Sequence, residues 1–145
     1  MRFNKLLAVS TFAFATSAFA HGGVQNPAVK ARMDGMVAIS KNMKTIATMA
    51  KGQTAFDAAT IQDALSVIEA EAGQIPALFE AKETDAKSEA LDLIWTDWDN
   101  FAASAEVLRT TVMDLPDTIT TPEDAGATLA KLGKTCKSCH SKYRE

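Results

Sequence analysis

TPEDAGATLAKLGKTCKSCHSKYR, residues 121–144, decides what the rest of the chain must build. Thr121 and Pro122 open it as N-cap and first helical residue, and Glu123 and Asp124 place two acids in the first turn, where the positive end of the helix dipole favours them. The helix expected over 122–143 then carries, in its last turns, both cysteines of the chain and one of its two histidines as C-x-x-C-H. At about 100° per residue, Cys136 and Cys139 lie about 60° apart and His140 follows Cys136 by one turn. All three side chains therefore face the same neighbour.

This geometry is what c-type haem attachment requires. Two sulfurs bond the porphyrin vinyl groups, and the imidazole stands ready to ligate iron from one side. Other uses of the pair stay open. A dithiol redox couple works best with its cysteines at a helix N-terminus, where the dipole lowers thiol pKa, and here they come at the C-terminal end. A structural zinc site needs four ligands, and beyond the motif only His21 and carboxylates remain. A Cys136–Cys139 disulfide would close a tiny loop and constrain almost nothing. A haem-free helical metal or redox module is thus the alternative from a different class.

Working outward, Asn26-Pro27 caps a segment that runs unbroken to Gly52, so a first helix is expected over 27–51. Asp57 caps a second, in which Ile61, Leu65, Ile68 and Ala72 recur at helical spacing; Gly73 and Pro76 are expected to end it, giving a helix over 58–72 and a connection over 73–87. Leu91, Ile94, Trp98, Phe101, Ala105, Leu108 and Val112 step by three and four through a third helix expected over 88–114, closed by Pro116. Sustained period-two alternation is missing, and the alanine-rich composition favours helix. Four amphipathic helices on fairly short connections bury their stripes most simply as an all-α, antiparallel four-helix bundle.

The first twenty residues, MRFNKLLAVSTFAFATSAFA, have the layout of a secretory signal peptide: Arg2 and Lys5, an apolar run, then Ala18-Phe19-Ala20. Cleavage before His21 is expected, leaving residues 21–145 as one domain. The apolar run is short for a span of roughly 18 uncharged residues, and no later segment approaches that length, so no membrane span is expected in the mature chain. The leader holds two of the fifteen basic residues and no acid, so the remainder, with eighteen acids, carries a net charge of −5. An acidic balance without a basic stripe argues against nucleic acid as a partner. Export also suits haem attachment, which occurs on the non-cytoplasmic side of bacterial membranes.

An exported four-helix chain ending in KTCKSCHSKYR resembles the cytochrome c′ family, including its low-spin members called cytochrome c-556. The likeness spans the whole mature sequence and includes MAKGQTAFDA after the first helix and IWTDWDNF early in the third. It implies one covalent haem c per chain, bound through Cys136 and Cys139, with His140 as the proximal iron ligand. The family's distal residue comes four positions after an arginine on the first helix, a pattern that falls here on Arg32 and Met36. Phe79 resembles the family's distal-pocket aromatic, and Tyr143 and Arg144 match its ending. A homodimer through the first two helices is a further family expectation.

Helix geometry speaks to the same residues independently. Relative to Met36, Val29 and Met43 lie within about 20° and Arg32 within about 40°, so the arginine shares the apolar stripe. An arginine there wants an anion, which a haem propionate would supply. Met33, Met36, Met43 and Met49 can also be read as flexible core filler, and Met33 is the rival ligand.

The leading expectation is a periplasmic, non-enzymatic carrier of single electrons between redox partner proteins, with His140 and Met36 on the iron. The runner-up is a five-coordinate haem protein that binds NO or CO while Met36 only packs. Trp95, Trp98 and Phe101 fit the packing face of a helix. Lys134, Lys137 and Lys142 can form a docking patch for an acidic partner. A cleaved N-terminus at His21 could bind copper, although Gly22-Gly23 reads more simply as a loose end.

Overall fold

A computed structural model describes residues 23–115 and 119–145. The expected leader, its cleavage point, His21 and Pro116 lie outside the described residues. Five helices follow in order: α1 (Pro27–Ala50), α2 (Ala58–Phe79), the single turn α3 (Leu93–Thr96), α4 (Trp98–Met113) and α5 (Pro122–Tyr143). The caps are those expected. Asn26 Oδ1 accepts from the Ala28 and Val29 amides at 2.9 and 3.2 Å, and Asp57 Oδ1 from the Thr60 amide at 2.6 Å. Thr121 and Asp124 exchange reciprocal bonds of 3.1 and 2.9 Å in a capping box. Gly52, just past α1, has a φ of +67°, which only a residue without Cβ adopts readily.

The four long helices form a closed ring in which α1 packs on α2 and α5, and α4 packs on the same two. Ile46, Ile61, Ile68 and Leu132, drawn from three of these helices, have no exposed surface and mark the centre of the core. The antiparallel arrangement brings the start of α1, the end of α2, the start of α4 and the end of α5 to one end of the bundle. No helix among the described residues is long and apolar enough to cross a membrane.

Two expected boundaries are corrected. The second helix does not stop at Gly73 and Pro76 but continues to Phe79. Pro76 has no N–H to give the Ala72 carbonyl and an internal proline costs about 3 kcal/mol. Continuing the helix, however, keeps Ile75 and Phe79 on the buried row, each 7 % exposed, and burying two such side chains returns about 1.5–3 kcal/mol apiece. Tertiary burial wins over the local stop signal. The third helix does not begin at residue 88. Residues 88–91 form an extended strap, where the Leu91 amide donates to the Tyr143 carbonyl and the Glu145 amide to the Glu89 carbonyl, both at 3.0 Å. Helix then resumes in two pieces, broken at Asp97 with φ −126° and ψ 41°.

Candidate haem site

A cavity of about 320 Å³ opens at the end of the bundle where these termini meet. Helix α5 contributes Cys139, His140 and Tyr143 to its wall, and α1 contributes Val29, Arg32, Met33 and Met36. Ile75 and Phe79 of α2, Ile94 of α3 and Phe101 of α4 add apolar wall, and the strap residues Ser88 to Ala90 lie at the rim with Arg144. The structure thus gathers Cys139, His140, Met36, Met33, Arg32 and Phe79 around one space. Cys136 stands half-buried one turn earlier on α5, outside that lining.

The cysteines are unpaired. Burial pushes both thiols above their ordinary pKa, and for Cys139 the neighbouring Cys136 adds to it. They are therefore not poised thiolates of a redox couple. His140 lines the cavity but remains exposed, and its imidazole is held below its ordinary pKa first by partial desolvation and then by the charge of Arg144. Both effects favour the uncharged, ligating form. Among the described residues no cluster of three or more His, Cys, Asp or Glu gathers, as a zinc site would need. Two unpaired thiols, an imidazole and an apolar cavity with Arg32 buried in its wall and Arg144 at its rim form a donor set that fits a c-type haem.

Arg32 is 3 % exposed and is bound by backbone. Its Nε donates to the Leu78 carbonyl at 2.8 Å, Nη1 to Glu83 at 2.7 Å and Nη2 to Ala81 at 2.6 Å, which wraps the end of α2 and the following loop around the guanidinium. The cation lies 4.6 Å from the centroid of the Phe79 ring. Burial lowers its pKa, and the nearby Glu83 opposes that. Three of the five guanidinium N–H donors are engaged in this way.

The aromatic residues divide. Phe101 packs on Phe79 at 5.1 Å between centroids and on Tyr143 at 5.3 Å, so it belongs to the cavity wall. Trp95 and Trp98 are half-buried and line a separate outer recess of about 470 Å³ with Pro76, Ala77 and Glu80. The Trp95 indole donates to the Phe79 carbonyl at 2.8 Å. Tyr143 is 3 % exposed and its hydroxyl donates to Asp97 at 2.7 Å. Arg144 pairs with Glu89 of the strap. Asp97 and the strap were missed from sequence; an aspartate between two tryptophans, placed to start a helix at Trp98, was the available signal.

A ring of four helices around one cavity, with C-x-x-C-H at the end of the last helix, defines a helical-bundle cytochrome of the c type. The family model described as Cytochrome C' matches residues 27–144, and the chain belongs to the cytochrome c′ family. It is similar to cytochrome c-556 of Agrobacterium fabrum (strain C58 / ATCC 33970), 32 % identical over 117 residues that cover 80 % of each chain. It is likewise similar to cytochrome c′ of Pararhodospirillum photometricum, 33 % identical over 120 residues covering 81 % of this chain and 95 % of that one. The solved cytochrome c′ from Rhodopseudomonas palustris superposes with a TM-score of 0.75 at 30 % identity, covering 83 % of this chain and 98 % of that one. The protein is thus a haem c-type cytochrome whose prosthetic group is covalently bound.

Proposed function

We propose that the chain is an exported one-electron carrier of the periplasm, with residues 1–20 removed as a leader and 21–145 forming one cytochrome c′-like domain. Cys136 and Cys139 hold the haem through thioethers, His140 is the proximal ligand and Met36 the distal one. The observation that carries this reading is the shared cavity, to which α5 brings Cys139 and His140 while α1 brings Met36.

When bound, the haem iron supplies the one-electron couple, and the chain does the rest. Cys136 and Cys139 would hold the group through two thioether bonds, which a thiol can form to a vinyl group by addition with no leaving group. In its uncharged form His140 offers a ring nitrogen without first losing a proton. Met36 offers a soft thioether, which favours the reduced metal relative to a second histidine. Val29, Phe79 and Phe101 exclude water, and Arg32 is assigned to a propionate. Lys134 and Lys137 are exposed for docking an acidic redox partner, whereas Lys142 is taken by Asp97. Val37 and Val67, 43 % and 39 % exposed, support a dimer face on α1 and α2, which a size measurement in solution tests.

Visible spectroscopy of the ferrous protein with and without CO tests the reading. A sharp low-spin spectrum unchanged by CO is expected. A high-spin spectrum that shifts on adding CO favours the second reading, a five-coordinate gas binder. Similar identities to a cytochrome c-556 and a cytochrome c′ keep that reading in play.

A further inference from the structure

The last turn of α5 is fastened from outside the cavity by one carboxylate. Asp97 Oδ2 accepts from the Tyr143 hydroxyl at 2.7 Å and pairs with Lys142 Nζ at 2.5 Å, while Oδ1 accepts from Asn100 Nδ2 at 2.6 Å. Asp97 occupies the N-cap position of α4, where an aspartate ordinarily bonds the exposed amides of the first turn, yet it makes no such bond. Its Oδ1 stays local on the Asn100 side chain, while Oδ2 is given to α5, so one oxygen of the N-cap aspartate serves a tertiary contact in place of a helix amide. Tyr143 is held at both ends, its hydroxyl by Asp97 and its carbonyl by the Leu91 amide at 3.0 Å, and it lies edge-on to Phe101.

Adjacent helical residues point about 100° apart, so one carboxylate receiving both Lys142 and Tyr143 fixes the rotation of the turn as well as its height. Tyr143 follows His140 by three residues, on the same helix face. Both line the cavity; Asp97 does not. We propose that Asp97 is a positioning residue for the haem, which acts through Tyr143 and Lys142 to set the rotation of the last turn of α5 and with it the plane of the His140 imidazole. This inference rests on the assignment of His140 as the proximal ligand.

The test uses haem-loaded protein carrying Asp97→Ala, Asp97→Asn, Tyr143→Phe and the double change Asp97→Ala with Tyr143→Phe. Electron paramagnetic resonance of the ferric form reads the axial-ligand plane, and redox titration reads the midpoint potential. Asp97→Ala and Tyr143→Phe are expected to shift both in the same direction. The double change goes no further than the larger single change, since the two residues act as one unit. Asp97→Asn, which keeps an oxygen for the Tyr143 hydroxyl, shifts them less than Asp97→Ala. Unmoved resonance and potential in Asp97→Ala and Tyr143→Phe, with only a lower melting temperature, overturn the inference and leave the ligand assignment standing. A wild-type spectrum without histidine ligation overturns both.

Discussion

Replacing Arg32 by methionine tests how this end of the bundle is held. The change removes three charged-donor bonds of 2.6–2.8 Å and the stacking of the cation on Phe79. Bonds to a charged group are worth about 1.5–3 kcal/mol when both ends are shielded. The Leu78 carbonyl belongs to a half-buried residue, so about 2 kcal/mol is assigned to it; Ala81 and Glu83 are exposed and water replaces the guanidinium there, leaving about 0.5 kcal/mol each. The cation–π contact adds about 0.5–1 kcal/mol. Methionine regains aliphatic packing and escapes the cost of burying a charge, which lowers the net loss to about 2–3 kcal/mol. At about 4 °C per kcal/mol for a domain of this size, the melting temperature of haem-loaded Arg32→Met should fall by roughly 8–12 °C in circular dichroism. Arg32→Lys, with a point charge in place of the planar fork, should fall between the two. Melting within about 2 °C of wild type would refute the clamp, because the carbonyls of 78–83 would then have no need of the guanidinium.

Met36→Ala should convert a CO-inert ferrous spectrum into a CO-responsive one while Met33→Ala leaves it unchanged; the reverse pattern moves the ligand to Met33. The Asp97 carboxyl is held far below the usual range, first by Asn100 and then by Lys142 and Tyr143. A depressed pKa stabilises the fold above the unfolded value of about 3.9 and is lost as pH falls below it, so the urea-melt gap between wild type and Asp97→Asn should be constant near neutrality and smaller at about pH 3. A gap that widens on acidification contradicts the sign. Pro76→Ala restores an N–H to the Ala72 carbonyl in a helix that is already formed, and should raise stability by about 1–2 kcal/mol in the same melts. Cys136→Ala with Cys139→Ala should leave any haem extractable by acidified organic solvent, whereas the wild-type chain retains it.

Three helix starts were legible because each is written locally: Asn26, Asp57 and Thr121 bond amides two or three residues away. The ends of the connection between α2 and α4 were not. Gly73 and Pro76 carry a stop signal that only the burial of Ile75 and Phe79 overrides, and residues 88–91 look helical until paired with 143–145, more than fifty positions away. The same division runs through the site. Spacing alone brought Cys139 and His140 to one cavity and the stripe put Arg32 beside Met36, while Cys136 stands one turn earlier, outside that lining. What Arg32 actually grips, and that Tyr143 is buried against Asp97, depend on chain segments whose contact no local pattern encodes.

The central claim is that the last helix is a covalent anchor for haem and that the bundle's cavity is shaped around it. Peptide mass spectrometry of the mature chain, produced in a host with a haem-attachment system, tests it directly. A haem adduct on the peptide holding Cys136 and Cys139 is predicted; a colourless protein with both sulfurs unmodified contradicts the account.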